Sequence, residues 1–288
     1  MAQQMDQGSL IEGARLGWNP AQTGIHNYLQ ATAIYRQQWV DFAGAPQRLG
    51  FYAQFPFRDA NTGVGIALEQ QETGPFKRTD VQLNYAYHLQ LGRGQLSLGI
   101  SGQFGAYIYD PADQVLAEAN DPLAVGDRVT TRIFNVGGGI FYQSVENEDY
   151  LEEHFFAGLG IRQALPADLL FTDDSGTSNL QQTLHGYAVV GYRFDWQDAF
   201  LEPSVQLDYA RSNLFLPRLN LTYELHEAFW VGVAMDGTFS LSGQAGFIFG
   251  DDNTWQGRVG LFASRNVNPT GIDAGTTVGA MAAWRYFR

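Results

Sequence analysis

Apolar and polar residues alternate along most of this chain, and the clearest example runs from Val81 to Tyr109. Between positions 81 and 90 each odd-numbered residue is apolar and each even-numbered one is polar or small. A period of two residues indicates a β-strand with one apolar and one polar face. Leu91–Gly94 then reverses the chain, and a similar alternation follows from Leu96 to Tyr109. The pattern predicts a long antiparallel hairpin whose apolar face is covered by a second sheet, a helix or lipid.

The length of these strands favours lipid as the cover. Strands of a soluble β-sandwich usually have about five or six residues, whereas here the alternation persists for about nine to fourteen, which suits a tilted strand crossing a bilayer. The polar rows carry Gln, Asn and His where a solvated face would usually carry Lys and Glu. A membrane barrel is therefore the favoured interpretation, and a soluble β-sandwich is the alternative.

Similar alternation recurs along the rest of the chain and predicts about fourteen strands, an even number that is typical of single-chain bacterial barrels. They are expected near residues 27–38, 47–57, 62–71, 77–90, 95–109, 130–145, 150–162, 182–194, 199–211, 214–226, 228–236, 238–249, 254–264 and 274–287. The predicted fold is an all-β, transmembrane, antiparallel up-and-down β-barrel over residues 25–288. Residues 1–24 form a short N-terminal extension that either plugs the lumen or lies along the periplasmic rim.

The connections between the predicted strands differ in length according to their order. The even-numbered connections are all short, while the long ones are odd-numbered, although some odd-numbered ones are short too. Outer-membrane barrels have short periplasmic turns and longer outer loops. The long loops are expected at 37–46, 110–129, 163–181 and 266–273.

Composition narrows the possible functions. The chain has 288 residues with no linker, no cysteine and only five dispersed histidines, so we expect one barrel domain without a metal site or cofactor. A net charge of -13 argues against nucleic-acid binding, because few cations are available to replace the counterions of a phosphate backbone. No apolar run reaches the length of a transmembrane helix, and residues 1–8 are polar. Since such a barrel must be exported, we expect a leader that was removed near Ala2 or lies outside this numbering.

The polar rows also place charged residues inside the predicted lumen. Buried charges are costly unless they are paired or hydrated, so we expect an interior network of ion pairs. The predicted cations are Arg36, Arg193, Arg218, Arg258 and Arg285, and the predicted anions are Glu69, Asp208 and Glu224.

Candidates for catalysis are weak. His88, His185 and His226 lie on predicted inward rows, but no sequence spacing brings a serine and a histidine together as a recognisable pair. Gly137-Gly138-Gly139 lacks the lysine and helix of a phosphate-binding loop, and tight packing or a bend explains it better. We therefore predict that the protein is not an enzyme.

Segments near the N-terminus carry a family resemblance. Asn19-Pro20-Ala21-Gln22-Thr23-Gly24, Tyr35-Arg36-Gln37-Gln38-Trp39 and Gly44-Ala45-Pro46 together resemble the PorP/SprF family of the Bacteroidetes type IX secretion and gliding machinery. Gln22 departs from that pattern, where most relatives are expected to have an aromatic residue. The resemblance implies a set of family-motif and possible partner-contact positions. These are Trp18, Asn19, Pro20, Thr23, Gly24, Tyr35, Arg36, Gln38, Trp39 and Pro46. Ordinary turn chemistry and an interfacial aromatic girdle are the alternative explanations.

The resemblance implies a non-enzymatic outer-membrane barrel that anchors, or helps export and display, a secreted surface protein such as an adhesin with a C-terminal sorting domain. The implied partners are that secreted protein, type IX secretion or periplasmic ring and lipoprotein components, and membrane lipid or lipopolysaccharide. The polar inward rows leave a passive porin or small-solute transporter as an alternative. An outer-membrane hydrolase is a third hypothesis.

Overall fold

The chain forms a closed β-barrel in a computed structural model that describes residues 12–40, 42, 44–110, 128–145, 153–173, 176–196, 198–210, 214–226, 228–251, 254–267 and 275–287. Fourteen antiparallel strands make up the ring. It closes because the first strand pairs with the last, so that Tyr28 lies opposite Phe287 and Gln37 opposite Val278. The predicted barrel and its strand number are confirmed.

The ring strands are long, and the ends of each lie within three residues of those predicted from the sequence. In chain order they are β1 (Tyr28–Gln37), β2 (Gln47–Phe57), β3 (Thr62–Thr73), β4 (Phe76–Leu91), β5 (Gly94–Tyr109), β6 (Val129–Val145), β7 (Glu153–Arg162), β10 (His185–Tyr192), β12 (Ala199–Ala210), β13 (Leu214–Leu225), β14 (Phe229–Asp236), β15 (Ser240–Asp251), β16 (Trp255–Asn266) and β17 (Thr276–Phe287). In the described part of the chain, three short strands lie outside the ring: β8 (Ala167–Asp173), β9 (Gly176–Gln182) and β11 (Phe194–Asp195). Among the described residues, 3-10 segments cover Glu12–Gly17, Pro20–Gln22 and Arg58–Ala60.

The barrel has an apolar outer wall and a polar interior. On β4, Leu83 is 54% exposed, whereas its neighbour Asn84, which points into the lumen, is only 4% exposed. A sheet with its apolar side chains outside and its polar side chains buried suits hydrocarbon as the surrounding solvent. No helix among the described residues has the length and hydrophobicity to span a membrane.

The two rims of the barrel differ. One rim, called here the short-turn rim, carries the β2–β3 and β4–β5 turns together with the first residue of β1 and the last of β17. The opposite, long-loop rim carries the connections β1–β2, β5–β6, β7–β10 and β16–β17. The predicted turn at 146–149 and the interior of the 110–129 loop lie outside the described residues.

The connection predicted as a long loop at 163–181 forms a β-hairpin. Strands β8 and β9 pair antiparallel, from Ala167 opposite Gln182 to Asp173 opposite Gly176. Within the described residues this hairpin is a separate two-stranded sheet. The sequence pattern missed it because neither strand crosses the membrane, so no alternation between a lipid face and a lumen face is imposed on it.

Hydrogen bonds to the inner wall hold the base of this hairpin. The Asn135 side-chain nitrogen donates to the Leu165 carbonyl at 2.8 Å and to Gln182 Oε1 at 2.9 Å. Asn135 Oδ1 accepts from the Leu165 amide at 3.0 Å, and Gln182 Nε2 donates to the Tyr107 hydroxyl at 2.9 Å. The base of the hairpin is therefore held in a fixed position at the long-loop rim.

Candidate functional site

The N-terminal segment fills part of the lumen. Residues 13–25 precede β1 and are almost all buried. Asn19 caps the short 3-10 segment Pro20–Gln22 by accepting the Ala21 amide at 3.0 Å, and Pro20 suits the first position of that segment because it needs no N–H donor there. Gly24 then has a φ of +67°, a conformation that favours glycine. We call residues 13–25 the luminal segment.

A row of positions with little or no side chain receives this segment. Gly63, Ala86, Gly99, Gly139 and Gly160 are directly opposite one another on five consecutive strands, β3 to β7. Because these positions carry at most a methyl group, they form a shallow channel across the inner wall. We call this channel the glycine trough.

The luminal segment lies so deep in the trough that added side chains would overlap it. A Cβ atom at Gly99 would lie 2.2 Å from the Ala21 amide nitrogen, and one at Gly139 would lie 2.0 Å from Asn19 Oδ1. Such separations are far inside van der Waals contact. Close packing therefore explains why Gly139, the last glycine of the Gly137-Gly138-Gly139 run, lies in this strand.

Polar contacts fasten the segment to the wall. Asn19 is 0% exposed, and its side-chain nitrogen donates to the backbone carbonyls of Ile140 at 3.1 Å and Leu159 at 3.2 Å. Gln54 Oε1 accepts the Gly24 amide at 2.8 Å. In addition, Asn84 Nδ2 donates to the Leu16 carbonyl at 3.0 Å.

Apolar contacts complete the docking of the segment. Two small clusters form between the segment and the inner wall. One contains Ala14, Leu16, Ile34, Tyr52 and Ala67, and the other contains Ala21, Ile25, Phe141 and Phe156. Beside the segment, two interior cavities measure only about 10 and 50 Å³, enough for about one to a few waters.

Ion pairs line the remaining inner wall, and some join residues predicted from the sequence. Arg258 donates to both carboxylate oxygens of Glu224, one of them at 3.1 Å. Arg218 lies 3.9 Å from Asp208. These two pairs bring together four of the eight charged residues that the sequence placed in the lumen.

Other predicted charges have partners that sequence reasoning missed. Glu69 binds Arg48 at 2.9 Å and Arg162 at 3.5 Å. Arg193 binds Glu202 at 2.7 Å, and Glu202 also binds Arg15 of the luminal segment at 3.0 Å. Arg162 and Arg15 lie far from their acidic partners in sequence, 93 and 187 residues away, and the closed ring brings them together. Arg48 and Arg193 instead lie on, or just after, strands that pair directly with those of Glu69 and Glu202.

The two remaining predicted arginines, Arg285 and Arg36, are also buried in the barrel. Arg285 donates to Gln256 Oε1 at 3.3 Å, and its guanidinium lies 4.8 Å from the centre of the Tyr28 ring. Arg36 is buried on the inward face of β1. Both therefore contribute positive charge to the lumen.

The family-motif positions divide between the inside and the outside of the barrel. Trp18, Asn19, Pro20, Thr23 and Gly24 are buried in the luminal segment, where they contact the wall. The others lie on β1 and the loop that follows it. Tyr35 and Trp39 are exposed, Arg36 points inward, and the Gln38 amide donates to the Pro46 carbonyl at 2.9 Å.

One histidine does meet a serine, contrary to the prediction. His88 Nδ1 lies 2.8 Å from Ser97 Oγ, because the tight β4–β5 turn makes the two residues direct cross-strand neighbours. Ser97 is fully buried, so a substrate has no route to its hydroxyl in this conformation. His185 lies opposite Arg162 on the inner wall, and His226 packs near Phe200.

The family model of the type IX secretion system membrane protein PorP/SprF matches residues 1–281 of this chain. The chain belongs to the PorP/SprF family. This membership and the barrel architecture identify an outer-membrane protein of the type IX secretion system. A search of curated proteins finds no significant match to this PorP/SprF chain.

Solved structures of similar fold are outer-membrane barrels of low sequence identity to this PorP/SprF protein. A Pseudomonas aeruginosa FadL homologue has a TM-score of 0.56 at 10% identity, covering 93% of this chain and 92% of that one. The Ralstonia pickettii toluene transporter TbuX has a TM-score of 0.54 at 12% identity, with coverages of 96% and 93%. The CymD monoaromatic hydrocarbon channel has a TM-score of 0.55 at 9% identity, also with coverages of 96% and 93%. The likeness is one of fold.

Replacing Asn19 by alanine should loosen the luminal segment. The change removes the cap of Pro20–Gln22 and both side-chain bonds to the wall, which we expect to weaken docking by about 2–4 kcal/mol. Hydrogen exchange at the Ala21 and Gly24 amides should then accelerate by at least about tenfold. Asn27→Ala, at an exposed position just beyond the segment, is the control, and equal exchange in the two variants would contradict the assigned role.

Proposed function

We propose that this barrel is a non-enzymatic anchoring or assembly component of the type IX secretion system. In this role it holds, or helps export and display, a secreted surface protein such as an adhesin with a C-terminal sorting domain. The observation that carries the proposal is the luminal segment in the glycine trough of a PorP/SprF barrel. A lumen occupied by the protein's own chain suits a docking platform better than an open pore.

The hairpin β8–β9 is the proposed docking element. It stands on the long-loop rim, which we assign to the outside of the cell because short turns are periplasmic in outer-membrane barrels. Loops bind partners well when a rigid scaffold fixes their bases, as Asn135, Gln182 and Tyr107 do here. The short-turn rim then faces periplasmic ring or lipoprotein components of the secretion system.

Affinity purification from native membranes tests this proposal. The wild-type barrel should retain a large secreted surface protein in mild detergent. A variant in which residues 168–181 are replaced by Asn-Gly should lose it, while the hairpin base at Ala167 and Gln182 is kept. The control exchanges Gly92-Arg93 for Asn-Gly on the opposite rim. Recovery of the wild-type barrel alone, or equal retention by both variants, would contradict the proposal.

A small-solute transporter is the second candidate, favoured by the fold likeness to the toluene transporter TbuX and the CymD hydrocarbon channel. Against it stand the segment inside the lumen and the small size of the cavities beside it. Conductance in planar bilayers separates the candidates. We expect the wild-type barrel to be silent, and a steady open current would favour transport.

A further inference from the structure

A groove of about 740 Å³ lies on the outer wall at the short-turn rim, beside the seam where β1 meets β17. Leu29, Phe55, Phe57 and Tyr286 form its apolar wall, and the turn residues Arg58, Asp59 and Ala60 complete its lining together with Asn27 and Pro56. We call it the seam groove. Its volume is within the range of about 300–1,000 Å³ that is typical of small-molecule sites.

The register shows that the apolar wall of the seam groove faces lipid. Leu29 lies directly opposite Tyr286 on the neighbouring strand. Their chain neighbours Gln30 and Arg285 are buried inside the barrel, so side chains at positions 29 and 286 point outward. Phe55 and Phe57 pack against each other, with ring centres 4.7 Å apart, on the outward face of β2. The groove is thus continuous with the membrane-facing surface.

Charged groups of opposite sign stand at the rim end of the groove. Arg58 is held across the strands by its bond to the Asn27 carbonyl, at 2.5 Å. Asp59 follows it in the 3-10 turn Arg58–Ala60, which ends at Asn61 with a φ of +51°. A guanidinium and a carboxylate on adjacent residues therefore lie where an apolar wall reaches the end of the barrel.

We propose that the seam groove binds one glycerophospholipid with an amine-bearing headgroup. An acyl chain lies along Leu29, Phe55 and Phe57, the phosphate accepts hydrogen bonds from Arg58, and the ammonium faces Asp59. Guanidinium groups bind phosphate strongly, and the carboxylate disfavours a purely anionic headgroup. This arrangement matches the polarity of a phospholipid standing in the inner leaflet, with its head at the short-turn rim.

Native mass spectrometry of the full-length, delipidated barrel in detergent tests this proposal. Titration with phosphatidylethanolamine should give a saturable one-to-one adduct, and phosphatidylglycerol should bind more weakly. Arg58→Gln should weaken phosphatidylethanolamine binding by about tenfold, as expected for loss of a charge-assisted bond to phosphate. Asp59→Asn should reduce the preference between the two lipids. Arg93→Gln, in another exposed turn of the same rim, is the matched control and should bind like wild type.

A second variant separates the lipid from a free anion. Phe57→Ser removes one aromatic ring from the apolar wall of the groove and leaves the charges unchanged. It should weaken lipid binding. The barrel should keep its wild-type shift in electrophoretic mobility on heating, which shows that it is folded. Competition by inorganic phosphate at the lipid's own concentration would show an anion site only and overturn the proposal. Equal losses in Arg58→Gln and Arg93→Gln, or non-saturable adducts, would also overturn it. The proposal would likewise be overturned if no lipid adduct formed and an added periplasmic protein protected the groove instead.

Discussion

A valine at position 99 should expel the luminal segment and turn a silent barrel into a conducting one. Even the Cβ atom would lie 2.2 Å from the Ala21 nitrogen, and the two further methyl groups would enlarge this overlap. Valine is itself favourable in strands, so β5 should still form and the segment should give way. Overpacking of this kind costs about 1–3 kcal/mol or more. Planar-bilayer recordings should show steady current, and residues 13–25 should become sensitive to protease.

Gly102→Val is the control for this experiment. Gly102 lies on the same strand but points to the lipid side, where an added Cβ would meet only the Phe134 ring at an ordinary distance of 3.6 Å. That variant should stay silent and protected. A Gly99→Val barrel that is equally silent, with an equally protected segment, would show that the trough does not control closure.

Glu69→Gln should produce the largest loss of stability among single changes in the lumen. The Glu69 carboxylate lies 2.9 Å from Arg48, 3.5 Å from Arg162 and 2.9 Å from the Tyr52 hydroxyl. Without its charge, the buried guanidinium of Arg162 and the half-buried one of Arg48 lose their shared anion. Removing one partner of a buried pair costs about 3–5 kcal/mol. Denaturant unfolding in lipid vesicles, followed by tryptophan fluorescence, measures this loss.

A matched substitution on the same strand tests whether burial causes the effect. Glu72 contacts Gln70 at an exposed site at the end of β3, so Glu72→Gln should change the free energy of unfolding by less than about 1 kcal/mol. If Glu69→Gln were as mild as this control, the Arg48–Glu69–Arg162 cluster would contribute little to stability.

The strands could be predicted from sequence because each ring strand faces lipid on one side and the polar lumen on the other. Lipid selects apolar residues such as Leu83 on one face, and the lumen selects polar ones such as Asn84 on the other. Strands β8 and β9 lie outside that constraint, and their sequences, Ala167–Asp173 and Gly176–Gln182, do not show the alternation. Their pairing became visible only in the structure.

The lumen could be predicted as a polar region but not as a set of contacts. Arg258 and Glu224 both follow from alternation, yet their pairing depends on how neighbouring strands are staggered. The same holds for the glycine trough. Its members at 63, 86, 99, 139 and 160 show no regular spacing in sequence and become a row only through strand register. Without the strand register, Gly99 and Gly139 would be interpreted only as glycines that weaken a strand.

The connection between the luminal segment and β1 has a consequence for the order of assembly. Gly24 lies only a few residues before Tyr28, and β1 supplies one side of the seam that closes the ring. The luminal segment is therefore joined by a short connection to β1, one of the two strands that close the ring. We expect the segment to dock as β17 seals against β1, because the few residues between Gly24 and Tyr28 keep it beside the wall that it binds. Assembly of the ring and filling of its lumen are therefore coupled.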